Sequence, residues 1–239
     1  MNGDILWLFG VGLSIDCGLR WGVPELPEHC RELRRDKKIQ CIREELGAAM
    51  GAPGVNPEPI RHFLQFLSER TRDGWRHRFL TTNWDFLLQS EINKFVPDVV
   101  PRWLRDSHVF HLNGTIEVLD DNSRRSAFVL PEDRARTPSL EFNMALSDME
   151  WGRTFVVVGM RLECEADRAL FNLLNKVKEM RPSGESDWII VNPCQAALDS
   201  SRDLIGLKLS QASVKTVRTT FTCCQEALLR QLNGKGIFS

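Results

Sequence analysis

Glycine or polar residues follow apolar, strand-like runs at five places along this chain. The first is Gly10-Val11-Gly12-Leu13-Ser14, directly after the apolar run 5–9. Glycine lets a backbone approach a ligand closely, and main-chain N–H groups at such a turn are suited to binding a phosphate. The other segments add amide, carboxylate and imidazole groups, which can orient a sugar or a water and move a proton. They are Thr82-Asn83-Trp84-Asp85, His111 with Asn113-Gly114, Gly159-Met160, and Asn192-Pro193.

The glycine segment differs from two common nucleotide-binding loops. The loop of hydride-transfer enzymes has a third glycine three residues after the second, and that position is Ile15 here. The phosphate loop of nucleoside triphosphatases needs Gly-Lys followed by Ser or Thr, which this chain lacks. The remaining pattern, Gly-x-Gly-x-Ser-x-x-x-Gly ending at Gly18, is on its own also compatible with a strand-to-helix turn that binds nothing.

The overall charge and composition narrow the classes of function. The chain has 31 basic and 32 acidic residues and a net charge of −1, which gives no electrostatic indication of nucleic acid or of an anionic membrane as a partner. Asp4 and Asp16 interrupt the apolar N-terminus, which has no basic leading segment, so we expect neither a secretory signal nor a membrane span. The expected location is the cytoplasm.

Strands and helices alternate in the elements that must position these residues. Apolar and β-branched runs predict strands at 5–9, 78–82, 109–112, 153–158, 188–191 and 214–221. Helical periodicity predicts helices at 25–50, 57–75, 86–95, 140–148, 166–180 and 225–232. This alternation predicts an α/β fold, a Rossmann-like parallel sheet with helices on both faces. We expect one domain over 1–239, with a small helical annex at about 25–75 after the first strand.

The predicted topology brings the five segments together. In an open α/β sheet the carboxyl ends of parallel strands line one crevice, and ligands bind there. Five strand ends with glycine or polar residues in one chain therefore favour a ligand site over turn chemistry alone. Asn83 at one of these ends is also suited to capping the helix that follows, and the two roles are compatible.

The set of segments resembles the sirtuin-like superfamily, the NAD-consuming α/β fold of protein deacylases and of NAD-hydrolysing domains in prokaryotic anti-phage defence. The first segment is similar to the family's Gly-Ala-Gly-x-Ser loop, with Val11 in place of alanine. Thr82-Asn83-Trp84-Asp85 is similar to its Gln/Thr-Asn-x-Asp motif, and His111 with Gly114 resembles its His-Gly strand end. The resemblance covers about residues 4 to 193.

The second half of the resemblance is carried by Gly159-Met160-Arg161 with Asp167, and by Asn192. It implies that NAD is the substrate and that Asn83, Asp85 and His111 act at its reacting ribose. It also implies a set of cofactor-binding residues, namely Gly10, Val11, Gly12, Ser14, Thr82, Gly159, Met160 and Asn192. We expect the side chain of Asp167 to face solvent rather than the ligand.

The chain departs from the deacylases at their zinc ribbon. The family places two C-x-x-C pairs between the His motif and the next strand, and residues 112–153 contain no cysteine. The seven cysteines of the chain include no C-x-x-C pair, and their odd number argues against a disulfide framework. We therefore expect free thiols and no bound zinc or other metal, as in the zinc-less defence hydrolases. Leu112 and Asn113 also split the His-Gly dipeptide, and Arg161 replaces a small residue.

The resemblance implies hydrolysis of NAD to nicotinamide and ADP-ribose. Two alternatives stay open, a protein deacylase that lacks zinc and a catalytically silent domain that binds NAD or an ADP-ribose-like nucleotide as a sensor. A free NAD hydrolase would deplete the cell's cofactor, so its activity would need gating. Since the chain leaves no length for a second sensing domain, we expect a homo-oligomer or a separate regulatory partner.

Overall fold

Six strands form one parallel sheet in the computed structural model, which describes residues 3–20, 27–72, 74–95, 109–116, 129–130, 140–162, 167–180 and 185–238. The strands are β1 (Gly3–Phe9), β2 (Trp75–Thr81), β3 (Val109–His111), β4 (Thr154–Val158), β5 (Ser186–Val191) and β6 (Ala212–Val217). Their order across the sheet is β3-β2-β1-β4-β5-β6, and every neighbouring pair is parallel. This order, which reverses direction between β1 and β4, is that of dinucleotide-binding folds. The predicted α/β, Rossmann-like fold is confirmed.

Helices cover both faces of the sheet. In chain order the described helices are α1 (Val11–Asp16), α2 (Glu28–Arg31), α3 (Arg35–Met50), α4 (Glu58–Arg70), α5 (Leu87–Lys94), α6 (Leu140–Trp151), α7 (Arg168–Met180), α8 (Gln195–Lys208) and α9 (Gln225–Asn233). Side chains of α3, α4, α5 and α9 belong to one apolar cluster, and those of α6, α7 and α8 belong to a second. The core is therefore divided into two layers by the sheet.

Strand β1 is the centre of both layers, because successive side chains of a strand point to opposite faces. Ile5, Trp7 and Phe9 pack in the first cluster, whereas Leu6 and Leu8 pack in the second, and all five are buried. A central parallel strand is covered on both faces, which explains why its sequence is a continuous apolar run. Residues 5–9 are thus held rigidly, and so is the turn that follows them.

The helices α2, α3 and α4 lie between β1 and β2, where the sequence predicts an annex. Ile42 of α3 and Phe63 of α4 share the apolar cluster of Trp7 and Phe9, and the ring of Phe63 packs directly against both aromatic rings of β1. The bounds of a single domain with an annex at about 25–75 stay a prediction.

Several predicted elements differ from the structure in their bounds, and one helix was missed. The helix predicted over 25–50 is described as α2 and a separate α3, and the helix predicted over 57–75 ends at Arg70, because β2 begins at Trp75. Strand β6 ends at Val217, short of the predicted 221, and α8 was not predicted at all. Of the predicted polar loop over 120–138, only 129–130 lie within the described residues.

The early start of β2 is concealed in the sequence by a buried polar side chain. His77 lies in the first half of this strand and faces the core, where Trp7 donates a hydrogen bond from Nε1 to its Nδ1 (2.8 Å). Burial lowers the pKa of His77 to about 3, so the ring is neutral. A histidine facing the core breaks the apolar pattern by which a strand is recognised.

No helix in the described ranges is long and apolar enough to cross a membrane.

Candidate functional site

The loop after β1 is bonded to the end of β4, across the point where the strand order reverses. The N–H of Gly10 donates to the carbonyl of Val158 (3.0 Å), and the N–H of Gly12 donates to the carbonyl of Gly159 (3.1 Å). Helix α1 begins directly after Gly10. The two loops are therefore joined by hydrogen bonds at the position where α/β sheets bind their ligands.

Glycine is required at this contact by the closeness of the two backbones. A Cβ on Gly12 would lie 2.6 Å from the Cα of Gly159, and one on Gly10 would lie 2.6 Å from the Cγ of Met160. Gly159 itself has a φ of 65°, a conformation that favours glycine. The glycines thus allow the β1 and β4 loops to touch, which is a role that the sequence pattern did not reveal.

The main-chain N–H groups after β1 differ in whether they are still available to donate a hydrogen bond to a phosphate. The amides of Gly10 and Gly12 are already bonded to protein carbonyls. Val11 is 45% exposed, and its N–H makes no hydrogen bond to another main-chain group among the described residues. Phosphate binding by this loop stays a prediction, with Val11 the main-chain donor best placed for it.

A second loop, after β2, meets the first through a hydrogen-bonded set of three side chains. Asn83 donates from Nδ2 to the hydroxyl of Ser14 (2.8 Å) and to the carbonyl of Gly10 (3.0 Å). Ser14 donates in turn from its hydroxyl to Oδ2 of Asp85 (2.7 Å). The two bonds between side chains run in one direction, from Asn83 through Ser14 to the carboxylate of Asp85. The amide group of Asn83 is therefore held in a single orientation, and its Oδ1 makes no hydrogen bond within the described part of the chain.

Asp85 is the buried end of this network. Its Oδ1 accepts from the N–H of Leu87 (3.2 Å), so both carboxylate oxygens are engaged. Burial raises the pKa of Asp85 above its ordinary value, and the hydrogen bonds from Ser14 and Leu87 offset part of that rise. The carboxylate thus organises the loop from a buried position.

His111 ends β3 and lies beside the same loop. Its Nδ1 is 3.4 Å from the carbonyl oxygen of Asn83, and the side chain is buried. When the neutral ring carries its proton on Nδ1, that N–H points at the carbonyl of Asn83 and Nε2 is the nitrogen that can accept a proton. The structure therefore brings Ser14, Asn83, Asp85 and His111 into one cluster, as their positions after β1, β2 and β3 predict.

Thr82 and Asp167 connect the β2 loop to the segment after β4. Thr82 donates from its hydroxyl to Oδ1 of Asp167 (2.6 Å), and the N–H of Arg161 donates to Oδ2 (2.9 Å). Asp167 is only 4% exposed, so the prediction that it faces solvent is wrong. A buried carboxylate needs hydrogen-bond donors of this kind. The residues next to Asp167 in the sequence do not reveal which groups they are. Asn113, which was not among the predicted site residues, also donates from Nδ2 to the carbonyl of Thr82 (2.9 Å).

Asn192, after β5, is bonded to the protein at both ends of its amide. Its Nδ2 donates to the carbonyl of Met160 (3.1 Å), and its Oδ1 accepts from the N–H of Cys194 (2.9 Å). Met160 is itself buried in the second apolar cluster. In this structure the two residues hold the β4 loop and the start of α8, and their predicted contact with a cofactor stays a prediction.

Comparison with known proteins gives a result for the fold. No protein-family model and no curated protein sequence matches the chain. Among solved structures, it is similar to a Sir2 protein in complex with the inhibitor EX-527, 2′-O-acetyl-ADP-ribose and a deacetylated p53 peptide, with a TM-score of 0.54 and 13% identity over 96% of this chain and 94% of that one. The chain has a sirtuin-like fold.

A second sirtuin structure, determined to explain substrate affinity, agrees with this result. Its TM-score is 0.53 at 14% identity, over 95% of this chain and 93% of that chain. Both comparisons extend over nearly the whole chain. At this level of identity they establish the fold, and the chemistry has to be argued from the side chains of this chain.

Proposed function

We propose that this protein hydrolyses NAD at the bond between nicotinamide and ribose. The products are nicotinamide, ADP-ribose and one proton. The observation that carries the proposal is the fixed amide of Asn83. Its Nδ2 is held by Gly10 and Ser14, and its Oδ1 is left as an acceptor at the carboxyl edge of the sheet.

Cleavage of the nicotinamide–ribose bond depends more on positioning the reacting groups than on acid catalysis. The nicotinamide of NAD is already cationic and leaves as a neutral molecule, so the barrier is the formation of an oxocarbenium-like ribosyl cation, as in glycoside hydrolysis. An acceptor held beside C1 of the ribose can orient the attacking water or a ribose hydroxyl. In this proposal Asn83 has that role, and His111, 3.4 Å from the Asn83 carbonyl, accepts the proton that the water or hydroxyl loses.

Asp85 acts in this proposal as a positioning residue. It holds the hydroxyl of Ser14, and that hydroxyl accepts from Asn83. Because the carboxylate of Asp85 accepts a hydrogen bond from the Ser14 hydroxyl, the oxygen of Ser14 stays available to accept from Asn83. The proposed cofactor-binding set stays Gly10, Val11, Gly12, Ser14, Thr82, Gly159, Met160 and Asn192.

A zinc-less protein deacylase is the second candidate. It is supported by the similar Sir2 structure, which holds a deacetylated peptide and 2′-O-acetyl-ADP-ribose. A deacylase would use the acyl-lysine, in place of water, as the nucleophile at the ribosyl carbon that loses nicotinamide. The two candidates therefore need the same Asn83 and His111, and they differ in what the enzyme accepts as nucleophile.

The test is the release of nicotinamide from NAD, measured with and without an acyl-lysine peptide. Release with NAD alone, abolished by Asn83→Ala and by His111→Ala, supports the hydrolase. Release that requires the peptide supports the deacylase and contradicts the hydrolase. Tight binding of NAD without turnover under either condition contradicts both and indicates a silent sensor. Asn93→Ala and His62→Ala are matched controls, because both residues are exposed on helices α5 and α4.

The proposal includes gating by assembly, because an ungated hydrolase would deplete the cell's NAD. We propose that a homo-oligomer or a separate partner protein activates the enzyme, in keeping with a role in anti-phage defence. Activity should rise with protein concentration or with the partner, measured together with the molar mass by light scattering. Full activity in a sample that stays monomeric would contradict this part of the proposal and leave the hydrolase itself standing.

A further inference from the structure

A second cluster of reactive side chains lies on the helices between β1 and β2. His29 and Cys30 belong to α2, and Cys41 belongs to α3. The structure joins Cys30 and Cys41 as a disulfide, with their Cα atoms 6.0 Å apart, so the prediction of free thiols is wrong for this pair in this structure. Nothing in the NAD chemistry proposed above uses these residues, so the cluster needs its own explanation.

The imidazole of His29 lies against both sulfurs. Its Nε2 is 3.5 Å from Sγ of Cys30 and 3.4 Å from Sγ of Cys41. The three ligand atoms lie within 4.8 Å of one another. In a tetrahedral zinc site, with Zn–S near 2.3 Å and Zn–N near 2.0 to 2.1 Å, sulfur and nitrogen are about 3.5 Å apart. Both nitrogen–sulfur distances therefore match the edge of such a tetrahedron.

A fourth ligand is available on the same side of α3. Glu45 follows Cys41 by four residues, which places the two on one face of the helix. Its Oε1 is 4.0 Å from Nε2 of His29. Carboxylate oxygen is an accepted zinc ligand beside cysteine and histidine.

We propose that His29, Cys30 and Cys41 bind one Zn²⁺ ion when the cysteines are reduced, with Glu45 or a water as the fourth ligand. Two thiolates and an imidazole are the donor set that selects zinc among the common divalent ions. A disulfide makes no use of an imidazole placed equally close to both sulfurs, whereas a metal site does. The ion ties α2 to α3, and α3 packs through Ile42 into the cluster of Trp7 and Phe9.

This site revises the sequence-based expectation that the protein binds no metal. The expectation rested on the missing C-x-x-C pairs, but Cys30 and Cys41 are 11 residues apart and are brought together only by the turn between two helices. The site also lies between β1 and β2, whereas the zinc ribbon of deacylases follows the His motif. It is therefore a different site from the one that this chain lacks.

The experiment is metal analysis of the full chain, purified anaerobically from cells grown with added zinc. We expect about one zinc per chain by elemental analysis, in keeping with a closed structural site. Replacement by Co²⁺ should give the absorption of tetrahedral cobalt with sulfur-to-metal charge transfer. After chelation and unfolding, all seven cysteines of the chain should react as thiols.

Variants separate the proposed ligands from the other cysteines. Cys41→Ser and His29→Ala should each weaken Zn²⁺ binding by more than the roughly 10 to 100-fold that loss of an outer-shell partner costs. His29 is 66% exposed and its change should leave the fold intact, whereas Cys30 is in the core and Cys30→Ser is less suitable. The exposed Cys194 and Cys223 provide controls as Cys194→Ser and Cys223→Ser, which should retain the metal.

Three results would overturn the proposal. One is a zinc content near zero in protein that is folded by circular dichroism. Another is unchanged zinc binding in both Cys41→Ser and His29→Ala. The third is a count of five reactive thiols after chelation, which would mean that Cys30 and Cys41 form a lasting disulfide.

Discussion

Asn83 and Asn192 occupy equivalent places in the two halves of the sheet, yet their amides are used differently. Each asparagine comes shortly after a parallel strand, Asn83 after β2 and Asn192 after β5. Asn192 has both ends of its amide bonded to main-chain groups. Asn83 is bonded through Nδ2 alone, with Oδ1 left as an acceptor in the described part of the chain.

From this difference we propose which half of the sheet carries the chemistry and which half is scaffold. Helix α1, the loop after β2 and the end of β3 contribute Ser14, Asn83 and His111, and the contacts of Asn83 link the three. The loops after β4 and β5 use Asn192 to hold the main chain of Met160 in place. We infer that the first half reacts with the ligand and that the second half keeps the crevice in shape.

The largest effect should come from the reactive half. Asn83→Ala and His111→Ala should each lower the turnover of NAD by about 10² to 10⁴-fold, because a positioned proton acceptor or orienting group contributes in that range. The measurement is nicotinamide release at saturating NAD, with folding checked by circular dichroism. Wild-type turnover in both variants would show that the site is assigned wrongly.

A smaller effect is expected for Asp85→Asn, which disturbs the position of Ser14 and Asn83 without removing either. We expect kcat to fall by up to about 10²-fold with little change in KM, since misplacement of a reacting group has costs of that size. Steady-state kinetics with NAD measure it. A loss as large as that of Asn83→Ala would mean that Asp85 contacts the reacting atoms itself.

The same variant should change how stability depends on pH. The folded pKa of Asp85 lies above its ordinary value of 3.8, so its contribution to stability is fully present below 3.8 and is lost as pH rises through the folded pKa. Asp85→Asn has no such group, so its free energy of unfolding relative to wild type should increase between about pH 3.5 and about pH 7.5. Urea unfolding at both pH values measures this, and a constant difference would contradict the raised pKa.

Gly12→Ala tests the contact between the loops after β1 and β4, which joins the two halves of the sheet. The added methyl group would lie 2.6 Å from the Cα of Gly159, so the β1 and β4 loops must separate. We expect a loss of about 1 to 3 kcal/mol in the free energy of unfolding, as for other overpacked sites. Gly206→Ala in helix α8 is the matched control, because no atom lies within 4 Å of its Cβ and alanine there should add about 0.5 to 1 kcal/mol. Equal stability of the two variants would argue against a tight contact.

The smallest effect on turnover is expected for Asn192→Ala. This change removes two hydrogen bonds to the main chain, so it should lower the free energy of unfolding by about 1 to 2 kcal/mol. At saturating NAD, kcat should stay close to that of wild type while KM rises. If kcat fell as steeply as in Asn83→Ala, the contrast between the two asparagines would be lost.

Much of the fold could be predicted because its strands are central and buried on both faces. The runs 5–9 and 155–158 are apolar throughout, which is what a parallel strand covered by helices requires. Helix α8 and the first half of β2 were missed. In α8 the buried face includes the polar Ser201, and in β2 it includes His77, so neither shows a clean apolar period.

The site was predictable as a set of strand ends but not as a network. That Ser14, Asn83, Asp85 and His111 lie together follows from parallel topology alone, since the carboxyl ends of the strands share one edge. The direction of each hydrogen bond does not follow from it. Asp167 shows the limit, because its sequence neighbourhood is compatible with a solvated surface and its partners Thr82 and Arg161 come from two different loops.

The sequence by itself determined the sheet, the strand-end positions of the glycines and polar residues, and the kind of chemistry those groups can do. Local pattern suffices there, because burial dictates residue type along each strand and a strand's end is marked by its next few residues. Only the tertiary structure decided that Gly12 meets Gly159, that Asn83 keeps an oxygen available, and that His29 reaches both Cys30 and Cys41. Those contacts join residues from separate elements, and their distances depend on how the elements pack rather than on any spacing along the chain.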